Sequence, residues 1–265
     1  MTTDFPALLR LDGRGIVLLG AGQGIGEATA RALSQAGARV LCVDKEGDLA
    51  SKIAREVNGE PCVADVTKRP DMERVFNQAR SSFGSVRGIV DIVGMAKLAP
   101  LSAFTDADYD WQFDVGLRHA FLALQIGAPL VAEGGGGAIT FVGSISGVAC
   151  LPNEVVYSAS KAALHHMARA AALEFGPRGV RVNAIAPGFT RTPRLNKLVP
   201  EERWKAIGEG IPLGRAATPE EIAGPLLFLS SDLGAHISGA VIAIDGGLGA
   251  MAAIPPAFIA TLKGK

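Results

Sequence analysis

The sequence predicts an α/β fold, a single doubly wound domain on a mostly parallel seven-stranded sheet. Three observations carry this expectation. Short apolar runs alternate along the whole chain with stretches whose apolar residues recur at helical spacing. The runs are continuously apolar, as in strands covered on both faces, rather than alternating as in half-exposed ones. The 265 residues, 48% hydrophobic and 20% charged, suit one globular domain, and no linker or repeat divides them. The domain is therefore taken as 1–265.

GIVLLG, residues 15–20, reads as the first strand, followed by the helical pattern AGQGIGEATARALSQAGA and a second strand, RVLCVD. A helix is expected over 47–58, a third strand at PCVADV, a helix over 70–83 ending at Gly84, and a fourth strand at RGIVDIVG. A long helix covers about 106–132, weakened or bent at Gly116, Gly127 and Pro129. AITFV gives the fifth strand, and YSASKAALHHMARAAALEF a helix stopped by Gly176 and Pro177. RVNAIAPG is the sixth strand. Residues 190–217 contain several breakers and read as a loop with short helices, a lid over a substrate site. PEEIAGPLLFLSS forms a late helix with Pro219, Glu220 and Glu221 in its first turn. AVIAIDGG closes the sheet.

Twenty-six basic residues balance 26 acidic ones, so no electrostatic footprint for nucleic acid or an anionic membrane is expected. The N-terminus lacks the apolar core of a secretory signal, and the other apolar stretches read as interrupted or too short to span a bilayer. Cys42, Cys62 and Cys150 have no metal-binding spacing. Cys42 and Cys62 sit in strand-like runs and read as small buried hydrophobes. A reducing cytoplasm fits.

LGAGQGIG joins the first strand to the first helix, the setting in which a glycine-rich turn cradles a pyrophosphate. Gly20 permits the sharp turn, Gly24 lets a phosphate approach the backbone, and Gly26 lets the helix lie against the sheet. Gln23 and Ile25 lie in the same turn, where helix-start amides face the phosphates. Asp44 ends the second strand, where a carboxylate accepts hydrogen bonds from an adenosine ribose and repels the extra phosphate of NADP. NAD is the expected cofactor. A helix cap or solvated turn is the plainer role for Asp44, and Lys45 softens its repulsion. Asp65, beside Val66, suits the adenine edge or a cap on the next helix.

Tyr157 and Lys161 are four residues apart and share a helix face. A free phenol has a pKa of about 10, and a nearby ammonium lowers it. Such a pair suits general acid/base chemistry at a carbonyl or alcohol, although the spacing alone is weak. Ser144 precedes Tyr157 by thirteen residues, at the end of the fifth strand. That edge is where doubly wound sheets bind ligands. Ser146 reads as turn or pocket wall.

These motifs together resemble the classical short-chain dehydrogenase/reductase family over about residues 11–249. The resemblance implies a Rossmann-type fold, with Ser144, Tyr157 and Lys161 as the catalytic residues. It implies that Gly94, Pro187, Gly188, Thr190 and Thr192 help hold the cofactor, with Asn183 and IDGG (244–247) matching further family motifs. Substrate contacts are expected at Ser144, Leu151, Tyr157 and Phe189, with Val156, Leu195, Trp204, Met95 and Lys97 near the pocket. Arg191, Arg194 and Lys197 meet an acidic substrate or face water. A homotetramer is implied, and the tail AAIPPAFIATLKGK is expected to contact a neighbouring subunit or shape its pocket.

Three departures stand out. Leu19 replaces the usual threonine of the glycine motif. Asp91-Ile92-Val93-Gly94 stands where the family has Asn-Asn-Ala-Gly. Gly116 occupies the position of the fourth catalytic residue, an asparagine. A water filling that gap, slower proton transfer, or recruitment of Asp114 or His119 are the alternatives, while His119, His165 and His166 read more simply as packed or solvated. The expected activity is NAD-dependent interconversion of a secondary alcohol and a ketone, on a small, cyclic or hydrophobic substrate. A 3-oxoacyl-thioester reductase and a catalytically weak nucleotide-binding or assembly protein are the alternatives. An isomerase or lyase finds no additional acid/base pair to support it.

Overall fold

The computed structural model describes residues 3–250. Seven strands form one parallel sheet in the order β3-β2-β1-β4-β5-β6-β7. The strands are β1 (Gly15–Leu19), β2 (Arg39–Asp44), β3 (Glu60–Val63), β4 (Val86–Asp91), β5 (Gly137–Val142), β6 (Val180–Pro187) and β7 (Val241–Ile244). Helices α1 (Ile25–Gln35), α2 (Gly47–Glu56) and α3 (Arg69–Phe83) follow the first three strands. Gly84 caps α3 at φ 70°. A continuous helical run, Asp106–Glu133, follows β4. Its α-helical parts are α4 (Asp106–Phe113), α5 (His119–Leu122) and α6 (Ala128–Glu133). Helix α7 (Val155–Phe175) precedes β6. Helices α8 (Pro193–Leu198) and α9 (Glu201–Glu209) lie in the expected lid, and α10 (Pro219–Ser230) precedes β7.

The continuous apolar runs have a direct cause. Successive strand side chains point to opposite faces, and both faces are covered. Val17 and Leu19 of β1 pack with Met72 and Phe76 of α3 and Leu164 of α7 on one face. Ile16 and Leu18 pack with Leu33 of α1, Ile53 of α2 and Leu226 of α10 on the other. Cys42 and Cys62 are buried, and burial pushes the Cys42 thiol up to about 12.

The long helix changes its winding where its glycines lie. π-Helical turns occupy Asp114–Arg118 and Ala123–Gly127, the first containing Gly116 and the second ending on Gly127. Pro129 falls in the first turn of α6, where a missing amide costs no helical bond. A Cβ on Gly127 would come within 2.3 Å of the Phe76 ring, so the glycine permits close packing on α3. By length and composition this run could cross a membrane, against the expectation that the apolar stretches are interrupted or too short. Half of its apolar window is buried inside the fold, as in a core helix.

Sheet order reverses between β1 and β4, opening a crevice at their carboxyl ends. At the other end, Asn183 of β6 ties down the chain entering β7. Its amide donates to the Ile237 carbonyl at 2.8 Å and accepts from the Ala240 amide at 3.0 Å. Asn183→Ala leaves both groups unpaired in a buried setting. A loss of about 1–3 kcal/mol is expected in thermal or denaturant unfolding.

Candidate active site

A cleft of about 640 Å³ occupies the crevice. Gly20, Gln23, Gly24, Ile25, Asp44, Asp65, Val66, Gly94 and Thr192 line it. Gly20 turns the chain at φ 84°, and Gly24 precedes α1 at φ 60°. A Cβ on Gly26 would lie 1.9 Å from the Gly20 carbonyl oxygen, so any larger residue pushes α1 off the turn. Thr192 closes over the glycine loop, its side chain 3.3 Å from a Cβ built on Gly24.

Asp44 is anchored through both carboxylate oxygens, by the Gly22 amide at 2.8 Å and the Glu46 amide at 3.0 Å. Its charge thus sits at the rim of the cleft beside the glycine loop. Asp65 accepts from the amide and hydroxyl of Thr67, at 3.1 and 2.6 Å. It fixes the turn before α3 rather than capping that helix, whose N-cap is Lys68. Pro187, Gly188 and Thr190 lie outside the cleft lining. Pro187 pairs with Ile244 at the end of β6, and a Cβ on Gly188 would come within 3.0 Å of Asp245. Thr190 is buried, its hydroxyl donating to the Gly188 carbonyl at 3.3 Å.

The chemical end begins beside Gly94. A Cβ there would lie 2.7 Å from Lys161 Nζ, so the glycine brings the cleft floor directly onto the ammonium. Lys161 is buried and donates to the Val142 carbonyl at 3.1 Å. Burial pushes the ammonium down to about 8, while the Asp91 charge acts in the opposite sense. Tyr157, in the first turn of α7, is half-buried. Its phenol is raised from its ordinary value, by burial first and then by the Glu154 carboxylate, against a hydrogen bond from Ser144 that lowers it. This corrects the expectation of a phenol held low by Lys161. The ammonium instead points at the Val142 carbonyl. Ser144 is buried and also accepts from the Ser146 amide at 3.1 Å, while the Ser146 hydroxyl donates to Glu154 at 2.5 Å.

Leu151 is half-buried and Phe189 partly exposed; neither lines the cleft. Trp204, expected at the pocket, is buried instead with Ile211 and Ala216 within the 190–217 segment. Arg191 stacks over it at 5.3 Å and pairs with Glu201, so its charge is already engaged. Arg194 lines the cleft and contacts Met95 across it. Ile92, Val93, Trp111, Asp114, Val115 and Lys68 also line it. Trp111 and Val115 lie on the long helix, where no sequence signal separates a cleft residue from a core residue. Gln112 was missed as well. Buried, it donates to the Met95 carbonyl and accepts from the Lys97 amide, both at 2.8 Å, which pins the loop after β4. His165 is buried, and desolvation takes it down to about 4; His166 is exposed.

Gly116 leaves no gap to be filled. A Cβ there would meet Ser160 Oγ at 2.4 Å and Ser160 Cβ at 2.9 Å. Ser160 itself donates to the Tyr157 carbonyl at 2.8 Å. A side chain at 116 and the serine at 160 thus compete for one space. Gly116→Ala is expected to lower stability by about 1–3 kcal/mol through overpacking. Adding Ser160→Gly should recover part of that loss in thermal unfolding, and a harmless single substitution contradicts the packing.

A parallel sheet with a glycine turn, an acidic group at the second strand and a Ser-Tyr-Lys cluster beyond defines a dinucleotide-dependent oxidoreductase of alcohols and ketones. Comparison with known proteins agrees. The family model described as enoyl-(acyl carrier protein) reductase matches residues 20–249. The chain is 35% identical to the 3-oxoacyl-(acyl-carrier-protein) reductase of Thermotoga maritima, covering 91% of this chain and 99% of that one. It is 34% identical to the D-threitol dehydrogenase of Mycolicibacterium smegmatis, covering 93% and 96%. A solved 7α-hydroxysteroid dehydrogenase, complexed with NADH and 7-oxo glycochenodeoxycholic acid, superposes with TM-score 0.88 at 30% identity, covering 92% and 98%. The chain belongs to the short-chain dehydrogenase/reductase family, whose members use NAD(P).

Proposed function

We propose that this chain is an NAD-dependent oxidoreductase that interconverts a secondary alcohol and a ketone, on a small, cyclic or hydrophobic substrate. The observation that supports the reading is the Ser144 hydrogen bond to Tyr157, one helical turn before a buried Lys161 whose ammonium packs on the cleft-lining Gly94. The residues present fit the cofactor. Gly20, Gln23, Gly24 and Ile25, with Gly26 keeping α1 close, would hold the pyrophosphate at the helix start. Asp44 would hold the adenosine ribose, and Asp65 and Val66 the adenine. Gly94, Pro187, Gly188, Thr190 and Thr192 would hold the nicotinamide side, with Tyr157 and Lys161 at its ribose. When bound, the nicotinamide supplies the hydride acceptor in oxidation and the donor in reduction.

The chain's own residues handle the proton. The Ser144 hydroxyl holds the substrate oxygen, with Leu151 and Phe189 offering apolar surface to the carbon skeleton. In reduction, the Tyr157 phenol gives its proton to that oxygen; in oxidation, the phenolate takes it. Lys161 keeps a positive charge at the site and favours the phenolate once a substrate oxygen draws the phenol toward it. A phenol raised by burial and Glu154 is protonated at neutral pH, which suits reduction there. NAD is favoured over NADP by the fixed Asp44 carboxylate, although Lys45 and Lys68 also line the cleft. The solved relative holding NADH supports the same preference.

A 3-oxoacyl-thioester reductase is the second reading, favoured by the 35% identity to the Thermotoga reductase. The assembly is proposed to be a homotetramer of cytoplasmic location, with no nucleic-acid or membrane partner. The tail from 252 lies outside the described residues.

Nicotinamide absorbance, followed with NAD and secondary alcohols and with NADH and ketones or 3-oxoacyl thioesters, tests the proposal. Tyr157→Phe is expected to lower kcat by about 10²–10⁴-fold with a small change in cofactor affinity. Oxidation should accelerate as pH rises into the alkaline range, and reduction should slow. Tighter NADP than NAD binding contradicts the role of Asp44. Turnover indifferent to Tyr157→Phe sinks the mechanism, and cofactor binding without any turnover favours a binding protein of the same fold.

A further inference from the structure

Two buried polar groups take no part in the scheme above. Asp91 closes β4 and His119 opens α5. Their side chains are 0% and 1% exposed, and His119 Nδ1 lies 2.7 Å from Asp91 Oδ2. Buried ionisable groups persist in a core only when partners hold them. The second Asp91 oxygen accepts from the Val93 amide at 3.1 Å. Val93 and Gly94 line the cleft, and Gly94 packs on Lys161 Nζ. Direct contacts therefore run from His119 through Asp91 and the β4 turn to the lysine. His119 Nε2 has no hydrogen-bond partner. The tautomer that satisfies the pair carries its proton on Nδ1 and donates it to Asp91, leaving only a lone pair unmatched.

We infer that Asp91 and His119 form a buried positioning unit for Lys161, in which His119 orients the Asp91 carboxylate and the carboxylate fixes both the turn over the ammonium and its counter-charge. The inference rests on the role given to Lys161 above. Neither residue reaches the substrate oxygen. Burial disfavours the ammonium, and Asp91 is the group that opposes this. From α7, Tyr157 and His165 face the same region, with Lys161 adding to the desolvation that keeps His165 neutral. From the segment before α7, Glu154 acts on the phenol. Asp91 thus supplies the negative charge against the lysine from the sheet side. Asp91 stands where the family's first asparagine would, and its partner His119 lies three residues after Gly116.

Lysine labelled with ¹³C at Cε reads the Lys161 titration directly by NMR, the resonance being assigned by its loss in Lys161→Arg. Neither substrate nor cofactor is needed, so the outcome is separable from whether the chain turns over any alcohol. Asp91→Asn is expected to move the Lys161 titration down by about one pH unit. His119→Leu, which frees the carboxylate to turn away from the lysine, should move it the same way. His119→Asn, whose side-chain amide replaces the Nδ1 donor, should return it toward wild type. Histidine ¹⁵N shifts should show the His119 proton on Nδ1. If Asp91→Asn does not fold, the contrast between His119→Leu and His119→Asn decides. An unmoved Lys161 titration, or a His119 proton on Nε2 alone, overturns the inference. Absence of turnover in the wild type would defeat the proposed function while leaving this titration to judge the pair.

Discussion

Burying the Lys161 ammonium constrains everything around it. Removing such a charge from water costs several kcal/mol unless fixed partners compensate. The Val142 carbonyl accepts from it at 3.1 Å, and the Asp91 charge opposes its desolvation. Gly94 is small enough to let the cleft floor rest on the ammonium. These demands fix α7 against the ends of β4 and β5. They also fix where Tyr157 and Ser144 stand, since Tyr157 lies one turn before Lys161 and Ser144 two residues beyond Val142.

The same site shows how local departures compensate one another. Ser160 fills the space beside Gly116, so restoring a side chain there without altering Ser160 makes a collision. Asp91 lacks an amide's donor but captures the Val93 amide with one oxygen and His119 with the other.

Much of this was legible in the sequence, for identifiable reasons. Strands buried on both faces write themselves as apolar runs, so all seven were visible. Glycine positions announced both turns of the nucleotide loop, because only glycine tolerates the backbone at Gly20 and Gly24 or the contact at Gly26. Boundaries were less legible. The fourth strand was expected to continue to Gly94 but ends at Asp91, whose side chain holds the turn. Contacts between distant residues left no trace. Asp91 and His119 are 28 positions apart; Asp91 stood out as a departure and His119 as a candidate recruit, but nothing in the sequence paired them. Trp204 read as a pocket wall because an aromatic in a lid looks the same whether it faces substrate or its own small core. The phenol was misjudged for a related reason. Spacing shows the lysine four residues on but not the burial that dominates.

A crystal structure of the protein with NAD measures the central claim most directly. The account predicts the adenosine end at Asp44 and Asp65, the pyrophosphate on the glycine loop, and the nicotinamide ribose within hydrogen-bond reach of Lys161, with the Tyr157 hydroxyl facing the nicotinamide. A dinucleotide whose nicotinamide lies away from Lys161, or a phenol turned from it toward Glu154, would contradict it.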